Sequence, residues 1–389
     1  MTEATASARA TQEERGTGSM EFSVKKFDLL EELNLTQGVV ERKTTIPILS
    51  NILCEAKGNH LTITATDLEL SIRTSCDAKV KKEGAGTIPA KKLLELVRLL
   101  PDEEIKFKLQ ENHWVHITSD RRNYKLVGMS KDNFPALPAF PHALVKIPAK
   151  LLADVIAKTT FAISLEESRY TLNGALMVLK PESITMVATD GHRLSHIERS
   201  GEKFEGISGE WKTLIPKKAM DELKSLLDST DAETIDFAKD ESTLYFRIGP
   251  RLLTSRQLTG QFPNYEAVLP KDNTRSVTLP GDALSAAISR VAQFADERSR
   301  AVRLRLEKGE LKLSASSTET GESEDSIETS YQGETLTVGF NAQYILDFLK
   351  AVGAGDVKLE LKDPQSAGQL RPADSEDYKY RYIVMPMRI

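Results

Sequence analysis

Cysteine is almost missing from this 389-residue sequence, which holds only Cys54 and Cys76. Neither sits in a C-x-x-C pair, which argues against a disulfide framework or a cysteine-based zinc site. Two small buried hydrophobes in a reducing compartment are the economical reading. Long apolar runs are missing too: none nears the ~20 residues that cross a bilayer as a helix. Residues 1–19, "MTEATASARATQEERGTGS", have no apolar core, so we read them as a disordered extension rather than a secretory signal. Motifs that carry catalysis or nucleotides fail in turn. There is no G-x-S-x-G elbow, no H-E-x-x-H and no G-x-x-x-x-G-K-[ST]. The stretches Gly84–Thr87 and Gly353–Asp356 lack the third glycine of a dinucleotide site. Positive charge is not in excess: 52 Lys and Arg stand against 57 Asp and Glu, a net charge of −5. A uniformly basic nucleic-acid binder is thereby excluded, though local basic patches are not.

What is present is ordinary globular composition, 40% apolar and 28% charged, at a length that suggests two to four domains. It also repeats. "TITATDLELSI" (62–72) echoes "TMVATDGHRLSHI" (185–197). "TIPAKKLLELVRLL" (87–100) echoes "LIPKKAMDELKSLL" (214–227), and "VGFNAQYILDFLKAV" (338–352) shares the apolar spacing. "DNFPALP" (132–138) echoes "GQFPNYEAVLP" (260–270). The offset is that of a domain, not of a solenoid repeat.

Each copy is expected to open with an amphipathic helix: "FDLLEELNLTQGVV", "AKLLADVIAKTT" and "DALSAAISRVAQF". Alternating strands follow, with Leu61, Ile63, Ala65 and Leu311, Leu313, Ala315 on one face. A second helix places Leu93, Val97, Leu100, or Ile345, Leu349, Val352, on one stripe. Closing strands are "NYKLVGMS", "RLLTSRQL" and the C-terminal "YRYIVMPMRI". Proline breaks sheet ladders, so the two Phe-Pro segments mark boundaries. The expected domains are 20–143, 144–271 and 272–389, each internally doubled as helix plus strands, in an α+β fold. Three such copies would pack edge to edge and leave strand edges to be covered or paired.

Asp190 and His192, with His196 four residues on, are the best catalytic candidates, as a base and its orienter. Asp67 holds the equivalent place in the first copy, yet Leu68 and Glu69 follow it. A residue that recurs without its partner is more economically a turn former accepting backbone N–H groups. Basic residues recur two turns apart on helices: Lys91 and Lys92 with Arg98, Lys217 and Lys218 with Lys224, Lys150 with Lys158. Acids gather in "STETGESEDSIE" (317–328). One positive surface able to hold phosphates without reading bases is one outcome. Ordinary solvated helix faces, interrupted by Glu95, Asp221 and Glu222, are the other.

The segments "ATDGHRLS", "RYTLNGALM", "QFPNYEAVLP", "VGFNAQYILDFLKAV" and "YIVMPMRI", in order from Met20 to Ile389, resemble the bacterial sliding clamp family, the beta subunit of DNA polymerase III. The resemblance implies three tandem DNA-clamp domains. Two chains would join head to tail in a six-domain ring, helices inside and sheets outside. It implies a non-catalytic processivity factor in the cytoplasm, associated with the nucleoid. No cofactor, metal or membrane is implied. Its partners would be double-stranded DNA held by encirclement, a second copy of itself, the polymerase III alpha subunit, the clamp loader, and other polymerases and repair proteins that carry short linear motifs.

Residue by residue, the resemblance implies duplex contacts at Lys43 (arginine in the family pattern), Lys91, Lys92, Arg169, Tyr170, Lys217 and Lys218. It implies a dimer interface at Tyr124 and Phe294. The partner-peptide pocket would use Leu172, Thr189, Gly191, His192, Arg193 and Leu194, with Pro263 and Val268 from the linker and Asn341 and Tyr344 from the third domain. Its other wall would be Ile383, Met385, Pro386, Met387 and Arg388. His192 and Arg193 would offer hydrogen bonds at the rim. Methionine is unbranched and polarizable, so such a wall adapts to varied peptides. Gln365 departs from an aliphatic position and would make the far lip more polar. Two other classes stay open on sequence alone: a hydrolase using Asp190 and His192, and a monomeric peptide-binding scaffold.

Overall fold

The computed structural model describes residues 19–40, 45–142, 144–375 and 378–388. Lys43, most of the extension 1–19 and Ile389 lie outside the described residues. The chain divides into two compact units, Met1–Pro138 with Pro250–Leu252, and Ala139–Gly249 with Leu253–Ile389.

Six helices occur among the described residues: α1 (Lys26–Thr36), α2 (Ala90–Leu99), α3 (Ala149–Ala157), α4 (Lys217–Asp228), α5 (Gly281–Val291) and α6 (Ala342–Val352). They pack as the pairs α1 with α2, α3 with α4, and α5 with α6. Four of them start alike. Pro89, Pro148, Pro216 and Pro280 each end a strand and stand as the residue before the helix. A proline there has no N–H to give either element, so it switches the chain from ladder to helix at little cost. The helix closing the series, α6, uses Asn341 instead, whose side chain accepts the Gln343 N–H at 2.9 Å. A short strand precedes each opening helix: Met20–Lys25, Val145–Pro148 and Arg275–Pro280. The expectation that each copy opens on a helix is corrected by one strand. These strands alternate in burial, a pattern too short to separate from a helix start by periodicity.

Unit 1 holds a five-stranded sheet in the order Lys79–Lys82, Met20–Lys25, Glu104–Leu109, Trp114–Ser119, Arg122–Val127. A second run of strands is Leu70–Asp77, His60–Thr66, Asn51–Lys57 and Gly84–Pro89. Leu61, Ile63, Ala65, Leu93, Val97 and Leu100 are all buried, so the period-two and helical stripes face one core. Cys54 is buried in it and Cys76 half-buried.

Unit 2 is built on an eight-stranded sheet that runs Trp211–Pro216, Gly174–Lys180, Ser183–Thr189, Arg193–Ser200, Tyr378–Val384, Gly368–Pro372, Asp356–Leu361, Arg275–Pro280. Its middle joint is an edge-to-edge pairing of two copies. Arg193–Ser200 lies antiparallel to Tyr378–Val384, with Leu194 opposite Ile383 and His196 opposite Arg381. The unit also holds a four-stranded sheet, Gly321–Glu328, Glu310–Ser317, Ala301–Glu307, Leu336–Asn341, and a run of the strands Val145–Pro148, Thr234–Lys239 and Thr243–Ile248. No helix among the described residues is long and apolar enough to cross a membrane.

Alternation splits the C-terminal strand between two environments. Tyr380 and Tyr382 are buried on the helix side, where both rings meet Phe348 at 5.4 and 5.2 Å. Ile383 lies on the opposite face, in a cluster with Leu176, Val178, Val187, Leu194 and Leu214. The closing strand ends at Val384, short of the expected run to the terminus. Pro386 removes a ladder donor, and the chain leaves the sheet. Met385 N–H then donates to the His192 carbonyl at 2.9 Å and Met387 N–H to the Gly339 carbonyl at 2.8 Å.

Candidate functional site

The turn Thr189–Arg193 is built by its own side chains. Asp190 Oδ1 accepts the N–H groups of His192 (2.9 Å) and Arg193 (3.1 Å), and Thr189 Oγ1 accepts that of Gly191 (3.1 Å). Asp67 does the same in the first copy, accepting from Glu69 and Leu70 at 2.9 and 2.6 Å. Asp190 Oδ2 is taken by Arg193 Nε at 3.1 Å. Both carboxylate oxygens are therefore committed to shaping the turn, which leaves the hydrolase reading without its base. Gly191 sits at φ 89°, and a Cβ there would come within 2.4 Å of Arg169 Nη1. The positive φ favours glycine, and a side chain there would also have to push the Arg169 guanidinium aside.

Arg193, expected at the rim, is already heavily engaged, and its side chain is only 11% exposed. Besides Asp190 it bonds Asp347 Oδ2 at 2.6 Å and the Phe161 carbonyl at 2.8 Å. The guanidinium lies 4.4 Å from the centre of the Tyr344 ring. Burial works against its charge, but Tyr382 and the two carboxylates hold the proton on firmly. Burial pushes the Tyr382 hydroxyl up, which keeps it a donor to the Tyr344 carbonyl at 2.8 Å. The arginine thus bolts the turn to α6 and to the C-terminal strand. Desolvated charges are favourable only when so fully paired.

Above the apolar cluster runs the linker 257–271. Leu258, Phe262, Tyr265 and Leu269 from the linker, with Ala367, pack on Leu194, Ile383 and their neighbours. Pro263 lines a groove of about 470 Å³ with Leu176, Leu214 and Tyr265. Val268 and Met385 are exposed, at 44% and 43%. An accessible apolar linker wall, an adaptable methionine and an apolar floor can take up side chains of an extended segment. His192 is exposed beside Met385, to which its carbonyl is bonded.

The remaining expected pocket residues spread more widely. His192, Arg193 and Tyr344 line a second cavity of about 480 Å³ with Phe161 and Lys217. Asn341 is the cap of α6, so its side chain is already engaged. Leu172 ends the short turn Tyr170–Leu172, and Pro386 and Met387 are half-buried. Arg388 lines a separate cavity of about 680 Å³ on the four-stranded sheet, with Arg303 and Glu324. Gln365 is exposed and begins a turn on Asp363. Asp347, Phe161, Tyr382, Gln369 and Arg381 were not foreseen. Asp347, Arg381, Tyr382 and Tyr265 stood inside segments already singled out, but their partners are distant in sequence and no local signal marks the contacts.

The basic positions carry local acids. Lys91 and Lys92 pair with Glu95 at 3.9 and 3.4 Å, and Lys217 with Asp221 at 2.6 Å. Lys218 acts electrostatically on Glu222. Arg169 bonds Glu166 and the Asp190 carbonyl, at 2.8 and 2.9 Å, while Tyr170 is 52% exposed. Lys158 departs from the expected stripe: it is 12% exposed and paired with Asp154 at 2.6 Å. Tyr124 is half-buried on Arg122–Val127, the last strand of its sheet, and Phe294 is half-buried in the single turn after α5. Among the described residues no group of three or more His, Cys, Asp or Glu could hold a metal.

Fold and site define a class: a binding protein made of repeated helix-pair-and-sheet modules, with a groove walled by its own linker and tail. Comparison with known proteins gives the family. Residues 20–138, 146–264 and 266–388 match, in order, the N-terminal, central and C-terminal domains of the DNA polymerase III beta subunit. The chain belongs to that family, the sliding clamps, which are non-catalytic processivity factors. It is 35% identical over 384 residues to the beta sliding clamp of Caulobacter vibrioides, covering 95% of this chain and 100% of that one. Among solved structures it resembles DnaN sliding clamps bound to griselimycin. The Pseudomonas aeruginosa protein has a TM-score of 0.89 at 32% identity, covering 96% of this chain and 100% of that one. That of Bartonella birtlesii has 0.90 at 33%, covering 95% and 100%.

Proposed function

We propose that two copies of this chain close head to tail into a ring around duplex DNA and tether replication proteins through the linker-and-tail groove. One observation carries the reading: among the sheet ends of the described residues, two bear opposite charge. Arg122–Val127 ends the unit 1 sheet and bears Arg122 and Lys125 around Tyr124. Gly321–Glu328 ends the four-stranded sheet of unit 2 and bears Glu322, Glu324, Asp325 and Glu328. A bare edge invites pairing, and opposite charges favour the heterologous contact over like meeting like. Phe294 stands near the acidic edge, its carbonyl bonded to Thr320 Oγ1 at 3.2 Å.

In this reading the domains run 20–143, 144–271 and 272–389. Lys43, Lys91, Lys92, Arg169, Tyr170, Lys217 and Lys218 meet phosphates without reading sequence. The groove takes short linear segments of the polymerase alpha subunit, the loader, and other polymerases and repair proteins, in the cytoplasm at the nucleoid. It also takes griselimycin, by likeness to the two relatives. Two or three apolar anchors contribute about 1.5–3 kcal/mol each, and ordering a flexible segment removes several kcal/mol. The balance suits affinities on the order of micromolar, near −8 kcal/mol, at which partners exchange.

The test has two parts. Mass in solution should be that of two chains, and rings loaded on nicked circular DNA should survive high salt while those on linear DNA run off. A single-chain mass, or equal retention on both templates, would defeat the encirclement. Deleting Met385–Ile389 should abolish griselimycin binding and leave the dimer; undiminished binding removes the groove assignment.

A further inference from the structure

We propose that Arg381 is a positioning residue that latches the linker to the sheet and so sets the groove wall. This rests on the groove reading above. Arg381 stands two residues before Ile383 on the same face, and Gln369 lies directly opposite Ile383 on the next strand. Arg381 Nη2 donates to the Pro270 carbonyl at 2.6 Å, and Nε donates to Gln369 Oε1 at 2.6 Å. Gln369 is 7% exposed, and its Nε2 donates to Glu360, which Arg371 grips through Nε and Nη2 at 3.1 and 2.9 Å. The relay therefore converges on Glu360, which accepts from Arg371 and Gln369, while Arg381 donates on both of its sides, to Gln369 and to Pro270, across three adjacent strands.

The linker is held at three places. Its start is tied where Leu258 N–H donates to the Leu214 carbonyl at 3.0 Å. Tyr265 lies 5.5 Å from the His196 ring, and His196 is the ladder partner of Arg381. Its far end depends on Arg381, helped by Asn273 Nδ2, which donates to the Glu360 and Ala367 carbonyls at 3.0 and 3.1 Å. Val268 sits between the second and third fastenings, two residues before the latched carbonyl. Apolar side chains of similar volume hold a sheet face as well as a buried charged group does. What a directional latch adds is the height of one backbone carbonyl, and with it the position of Val268 over the floor.

The test compares wild type, Arg381→Met, Arg381→Lys and Met385→Asp, using griselimycin as probe in surface plasmon resonance and hydrogen exchange of residues 257–271. Arg381→Met keeps the length and loses the donors. It should weaken griselimycin about tenfold, or about 1.4 kcal/mol, and raise linker exchange while the sheet strands stay protected. Arg381→Lys, with one ammonium able to reach one acceptor, should recover part of both. Unchanged linker protection in Arg381→Met overturns the latch. So does wild-type binding by Arg381→Met while Met385→Asp loses the probe, because the wall then needs no latch. Wild-type binding by Met385→Asp would sink the groove reading instead, and linker exchange would still decide the latch.

Discussion

Replacing Arg193 by methionine removes the bolt beneath the groove and keeps its volume. Four groups lose a partner: Asp190 and Asp347, whose side chains are 16% and 24% exposed, the Phe161 carbonyl and the Tyr382 hydroxyl. Breaking a buried pair by deleting one partner costs about 3–5 kcal/mol. Partial exposure of both acids lets water recover some of this, while the lost stacking on Tyr344 adds about 1 kcal/mol. The sum is about 3 kcal/mol, or about 6–12 °C in the thermal midpoint for a unit of this size. Asp347→Asn should cost less, and the two changes together less than their sum, because they share one bond. Denaturant melts of the four members of this cycle measure the coupling. Hydrogen exchange should also rise at His192 and Met385, whose backbones the bolt supports. An Arg193→Met protein within about 1 kcal/mol of wild type, or additive changes, would refute the account.

Two more outcomes follow from the same region. Gly191→Ala should destabilise unit 2 by about 1–2 kcal/mol, since the residue is at positive φ and the new Cβ must displace Arg169 from the Asp190 carbonyl; an unchanged urea midpoint would show that the turn tolerates a side chain. Burial lowers the affinity of His196 for a proton, Arg381 and Lys379 add to this, and Glu198 opposes it. The unfolded chain then binds a proton that the folded chain refuses, so this contribution to stability is complete above about pH 6.5 and is lost as pH falls below it. Melts at about pH 7.5 and about pH 5.5 should show a steeper loss for wild type than for His196→Gln, and equal slopes would count against it.

Periodicity is local, and so it was legible. The buried alternation of Leu61, Ile63 and Ala65 and the stripe of Leu93, Val97 and Leu100 depend only on neighbours in sequence. The turn role of Asp190 was legible for the same reason, because Asp67 repeats it with different followers. Proline before four helices was open to the same reading, in the recurring Ile-Pro and Leu-Pro steps. Arg193 shows the limit. Its sequence neighbours suggest an exposed donor, but its acceptors Asp347 and Tyr382 are 154 and 189 residues away.

The sequence by itself determined the triplicated module, its α+β character, its turns and its family, because each follows from spacing or likeness along one chain. Only the tertiary structure decided which charges are spent inside and which remain outside. Whether a side chain is bolted or free depends on which distant strand edge folds against it, as Tyr378–Val384 does against Arg193–Ser200, and burial makes the same arginine a structural tie.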